Sequence, residues 1–182
     1  MIYILVALKS ELPNIEELDK SKFKVWYTGV GKINATVTAT LAANQKDCER
    51  IINYGTAGAL YPELLGKLLE VGIVRQRDMD ARPAAGLGVT PFETTEIGGD
   101  ITLSDNQCVL STGDNFVKDA PELTSHLVDM EGYAIAKVGK MFNKPTMLLK
   151  YVSDMADADA PKTWNDNQGQ GAEMVIELLK QI

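Results

Sequence analysis

The stretch His126–Val152, HLVDMEGYAIAKVGKMFNKPTMLLKYV, decides the fold. It reads as a strand over His126–Met130, a helix over Glu131–Phe142 and a second strand over Thr146–Val152. Apolar runs too short for a helix, alternating with helical segments, predict an α/β protein. The same rhythm extends outward in both directions. Upstream, strands are expected at Ile2–Leu8, Lys24–Tyr27, Arg50–Tyr54, Leu69–Val74 and Cys108–Ser111. A short helix is expected near Ile15–Leu18, a longer Ala- and Leu-rich one over Asn34–Gln45, and a helical segment after Ser111. GTAG, Gly55–Gly58, reads as a glycine turn. Pro83, Gly86, Gly88, Pro91, Gly98 and Gly99 mark Arg82–Gly99 as a loop. Downstream, Glu173–Gln181 closes the chain as an amphipathic helix.

Length and composition narrow the class. A chain of 182 residues, 45% hydrophobic and 24% charged, reads as one globular domain spanning 1–182. The net charge of -7 is spread along the sequence with no basic run. That argues against a nucleic-acid partner, which requires clustered cations to neutralise phosphates. Ile2–Leu8 has neither a positive flank nor a small-residue cleavage site and reads as a buried strand, and no run approaches the length of a membrane span. Cys48 and Cys108 lie far apart, outside CxxC spacing and without histidine neighbours, so no metal site is implied and cytoplasmic residence is expected. His126, the lone histidine, is assigned no catalytic role.

Three carboxylates follow apolar strands: Glu11 after ILVAL, Glu131 after LVDM and Asp154 after MLLKYVS. Ligands in open α/β sheets bind beyond the carboxyl ends of strands, so strands sharing one sheet would bring all three to one cleft. Taken singly, each has a plainer explanation: a solvated first-turn acid, an acid favoured by a helix dipole, or a helix cap.

Their surroundings set them apart. YTGVGKINA (Tyr27–Ala35), GTAG, STGDNF (Ser111–Phe116), VDMEGYAIA (Val128–Ala136) and KYVSDMAD (Lys150–Asp157) occur in that order. In this the chain resembles the methylthioadenosine/S-adenosylhomocysteine nucleosidases, within the purine nucleoside phosphorylase and uridine phosphorylase superfamily, over nearly its whole length. VDMEG and SDMAD are the most specific motifs.

The resemblance implies a three-layer sandwich with a mixed central sheet, a purine nucleoside as small-molecule partner, a homodimer, and no cofactor. It places the catalytic acid on Asp154, a proton donor to purine N7; close by in sequence, Asp157 would favour its protonated form by like-charge repulsion, while Asp159 reads rather as part of a solvated acidic loop. Glu131 falls on the glutamate that grips the ribose hydroxyls, and Glu11 on the residue that activates water. Phe116 and Val117 would contact the purine, and Met130 would lie under the ribose. Ser153 would hold Asp154, and Thr56, Ala57 and Gly58 would line the sugar.

The superfamily includes phosphate-dependent phosphorylases as well as hydrolases. Asn53 and Tyr54 precede Gly55 where similar phosphorylases carry an arginine shortly before the corresponding glycine, and Lys9 is the only cation near Glu11, so water is expected as the nucleophile. A phosphorylase or a catalytically silent nucleoside-binding protein is the alternative. The chain is also shorter than the usual nucleosidase. It lacks room for a hairpin between Glu11 and GVGK and for a full helix between Gly58 and Gly113, so the 5′ pocket is expected to be trimmed.

Overall fold

The computed structural model describes residues 1–95 and 97–182; within the loop expected over Arg82–Gly99, Glu96 lies outside the described residues. Every residue of β1 (Ile2–Val6) is buried, because the strand is covered on both faces. It runs parallel to β2 (Phe23–Tyr27) on one edge and to β3 (Arg50–Ala59) on the other. Side chains alternate, as a pleated strand requires. Tyr3 and Leu5 join a core with Ala35, Ala39, Ile135 and Val138, whereas Ile4 and Val6 join one with Val175, Ile176 and Leu179.

Those cores define three layers. Helices α1 (Lys32–Ala43) and α2 (Gly132–Met141) cover one face of the sheet, and α4 (Ala172–Leu179) covers the other. Each fully buried Ile or Leu between them contributes about 1.5–3 kcal/mol relative to exposure. This is the expected three-layer α/β sandwich. Its sheet is mixed: β8 (Leu127–Asp129) runs antiparallel to the end of β3 and parallel to β7 (Val109–Thr112). The sheet continues through β5 (Ile73–Gln76) to β6 (Ile101–Thr102), while β9 (Thr146–Met155) pairs with β3 and with β4 (Leu68–Glu70).

Several expectations from sequence need correction. GTAG is not a turn, because β3 continues straight through it to Ala59. Gly55 and Gly58 are there for space. A Cβ on Gly58 would lie 2.9 Å from Asp154 Oδ1, and one on Gly55 would lie 3.4 Å from Glu11 Oε1. The single strand expected over Leu69–Val74 is two strands broken at Gly72, whose missing side chain lets the backbone crowd against Asn106. The helical segment expected between Ser111 and His126 is absent among the described residues. The carbonyls of Gly113 and Asn115, which a helix would use internally, accept from Arg77 instead. Finally, α3 (Ala160–Asn167), with Pro161 in its first turn, was not expected.

The shortened connections are as the sequence indicated. Between Glu11 and β2 there is a single 3-10 turn, Ile15–Glu17, and among the described residues between β3 and β7 there is no α-helix.

Candidate active site

The site lies where β3 loses a neighbour. β9 accompanies β3 along one edge from Ile51 to Ala59, so β1 and β8 share the opposite edge. On that edge β1 reaches only Asn53, and β8 begins only at Gly58. The residues between have no strand beside them, and a backbone N–H exposed in such a gap requires another partner. Glu11 supplies it. Its Oε1 accepts from Thr56 N at 2.9 Å and Thr56 Oγ1 at 2.7 Å, and its Oε2 accepts from Leu8 N at 3.0 Å. A buried carboxylate held by three donors has a fixed position and a fixed acceptor face.

Asp154 reaches the same place by a different device. It belongs to β9 rather than to a loop after it, which corrects the placement expected from sequence. The register between β3 and β9 shifts there, Ala57 pairing with Val152 but Gly58 with Asp154, so Ser153 is an extra residue in the strand. Such a bulge re-aims the side chain that follows it. The Asp154 carboxyl consequently stands over Gly58, where Ser153 Oγ donates to its Oδ2 at 2.7 Å. Burial pushes the Asp154 carboxyl up to about 6, against the Ser153 hydrogen bond, and the charge of Asp157 adds to the rise. Asp159 is exposed, its N–H spent on Asp157.

Glu131 sits at the N-terminus of α2, immediately after β8. Its Oε1 accepts from Gly31 N at 2.8 Å, so the GVGK segment that starts α1 closes over it. Burial, chiefly, and the neighbouring Asp129 hold the Glu131 carboxyl at about 7, while Lys150 and the Gly31 hydrogen bond pull it down.

These three carboxylates line one cavity of about 170 Å³ together with Thr56, Ala57, Gly58, Phe116, Val117 and Met130. Of the catalytic and substrate-binding residues expected from sequence, Ser153 alone stands outside the lining, behind Asp154. Two carboxyls that change charge near neutrality and a third held in place by three donors, in a largely apolar enclosure, can give a proton, accept hydroxyl hydrogen bonds and polarise water.

Sequence reasoning missed three members of the site. Arg77 is buried under the Ser111–Asn115 segment and donates to the carbonyls of Ser111, Asp129, Gly113 and Asn115 at 2.6–3.1 Å. Trp164, on α3, donates from Nε1 to Thr56 Oγ1 at 2.9 Å, with its ring 6.1 Å from that of Phe116. Lys150 is fully buried and ion-paired with Asp129. Pro161, favoured in a first helical turn, and the large aromatic Trp164 three residues on are the local signals of α3, but nothing local in the sequence links Arg77 or Lys150 to the cleft. His126 is structural: its Nδ1 accepts from Val109 N at 2.9 Å. Lys9 is exposed above the Tyr27 ring.

A three-layer α/β sandwich with its carboxylate-lined cavity at the split edge of the central strand is an enzyme fold of the nucleoside phosphorylase class. Residues 93–182 match the family model of the phosphorylase superfamily. The 5′-methylthioadenosine/S-adenosylhomocysteine nucleosidase of Staphylococcus saprophyticus is 31% identical over 183 residues, covering 85% of this chain and 80% of that protein. Among solved structures, the nucleosidase of the same name from Colwellia psychrerythraea in complex with adenine superposes with a TM-score of 0.86 at 20% identity, over 99% of this chain and 94% of that one. The futalosine hydrolase of Helicobacter pylori has the same fold, with a TM-score of 0.86 at 23% identity over 98% and 95%. This chain belongs to the 5′-methylthioadenosine/S-adenosylhomocysteine nucleosidase family and is an N-glycosyl hydrolase.

Proposed function

We propose that the chain hydrolyses the N-glycosidic bond of an adenine nucleoside carrying a thioether at the 5′ position, with Asp154, Glu131 and Glu11 dividing the chemistry. The observation that carries this reading is the grouping of the three buried carboxyls around one cavity with unlike surroundings. Asp154, whose carboxyl titrates at about 6, retains its proton in roughly a tenth of molecules at pH 7. It delivers that proton to N7, and the base leaves neutral. Glu131, when ionised, accepts from the ribose hydroxyls and stabilises the positive charge growing on the sugar. Glu11, held by Leu8 and Thr56, takes the proton from the attacking water. Acid on one side of the scissile bond and base on the other is the logic of glycoside hydrolysis.

Water is favoured over phosphate by what the nearby cations are doing. A phosphate site needs free donors of positive charge. Arg77 is the one basic residue among the described lining residues, and its donors are committed to four carbonyls. Lys150 is paired with Asp129, and Asn53 turns away to donate to Leu5 O. A thioether and a purine suit the apolar walls contributed by Val30, Phe116, Val117 and Met130. Here Phe116 and Val117 take the base, Met130 lies beneath the ribose, Thr56–Gly58 line the sugar and Ser153 orients Asp154.

A homodimer is part of this reading, supported by an exposed apolar face on α1. Cytoplasmic residence is supported by two free thiols, Cys48 and Cys108, and no helix among the described residues is long and apolar enough to cross a membrane.

Glu11→Gln tests the assignment of the base. The amide keeps the size of the side chain but cannot take a proton, so kcat falls by about 10²–10⁴ while KM changes little. A variant that turns over at the parent rate would contradict the assignment.

A further inference from the structure

Lys150 lies in mid-β9 with no exposed surface, its Nζ 2.9 Å from Asp129 Oδ2. Buried ion pairs add little stability over an apolar replacement, so a buried lysine calls for another explanation. Its partner is unusually placed. Asp129 Oδ1 accepts from Thr112 Oγ1 at 2.6 Å, and its Oδ2 accepts from Gly132 N at 2.8 Å. Asp129 thus grips the first residue of α2, and Glu131 lies between the two. The ammonium also faces Gly55 across the β3–β9 pairing, where a Cβ would lie 3.6 Å from Nζ and 3.4 Å from Glu11 Oε1. Lys150 therefore lies on the same side of Gly55 as Glu11 and pairs with Asp129, without itself lining the cavity.

We propose that Lys150 is a positioning residue for Glu131: by pairing with Asp129 it lets two buried carboxylates two residues apart coexist, so that Glu131 meets the ribose charged and in place. The inference rests on the assignment of Glu131 as the ribose-binding carboxylate. The charged groups around Glu131 are Asp129 from the end of β8, Lys150 from β9, Glu11 from the loop after β1 and Arg77 from beyond β5, with the Gly31 N–H from the start of α1. Burial, Asp129 and Glu11 favour the protonated form, and Lys150 opposes them. Removing Lys150 leaves Asp129 still gripped by Thr112 and Gly132 but uncompensated, and Glu131 then keeps its proton to higher pH.

The test is the pH profile of kcat/KM for adenine release from 5′-methylthioadenosine, over about pH 5 to 9, on the full chain. In Lys150→Met kcat/KM falls by about tenfold at pH 6 and 7 and approaches the parent value by pH 9, where Glu131 has lost its proton in both, and Lys150→Arg restores the parent profile. The double variant Lys150→Met with Asp129→Asn removes both charges and leaves no uncompensated carboxylate, so its rate at pH 6 and 7 returns towards that of the parent. A purely structural lysine gives a different pattern: a rate lowered equally at every pH, with the double variant no nearer the parent than the single. That pattern would overturn the proposal. Glu131→Gln retaining the parent rate would instead overturn the assignment of Glu131 itself, and the inference with it.

Discussion

Asp154 is costly to the fold because its carboxyl is buried, with the charge of Asp157 nearby. Its carboxyl titrates at about 6 when folded, against 3.8 for an ordinary aspartate. A carboxyl raised on folding contributes stability that is fully present below the lower value and is lost as pH rises through the upper one. Asp154→Asn, which mimics the protonated form, is therefore expected to melt at least about 2 °C above the parent at pH 8, with the difference vanishing towards pH 4. Thermal unfolding at the two pH values checks this, and a variant less stable than the parent at pH 8 would contradict it. The same group was legible in the sequence because SDMAD and VDMEG are local strings. Arg77, Lys150 and Trp164 were not, because their partners lie far away along the chain: Ser111 to Asn115 and Asp129 for Arg77, Asp129 for Lys150 and Thr56 for Trp164.

At the scale of elements, hydrophobic pattern located most strands and helices, but their ends were set by contacts the pattern does not encode. β9 extends beyond Val152 because its partner β3 extends too, and β3 runs through GTAG because its glycines leave room for Glu11, Lys150 and Asp154. Helix α1 carries a different message. Ala35, Ala39, Ala42 and Ala43 face the core, while Ile33, Val37 and Leu41, spaced four apart, form a second apolar stripe on the solvent side. Ile33 is 78% exposed, which is unusual for a large apolar residue flanked by others on one face. A second copy of the chain covering that stripe, as proposed above, would account for it. Sedimentation should give twice the mass of the 19.9 kDa chain, and Val37→Glu should shift the population to monomer. A parent that sediments as a monomer at micromolar concentration would contradict this.

For the whole molecule, alternation of strands and helices was enough to read an α/β sandwich, whereas the antiparallel insertion of β8 beside β3 was invisible in any single segment. That insertion creates the gap on the β3 edge in which Thr56 and Glu11 meet, so the feature that builds the site is a property of topology. The carboxylates converge because the turn after β1 and the start of α2 meet at that gap, while the bulge of β9, on the opposite edge of β3, turns Asp154 over Gly58 into the same cavity. The most direct test of the account is release of free adenine from 5′-methylthioadenosine by the purified chain, with and without inorganic phosphate, beside Asp154→Asn. The account predicts adenine release that is indifferent to phosphate and is lost by at least about 10² in the variant. Release that depends on phosphate, or that survives in Asp154→Asn, would contradict it.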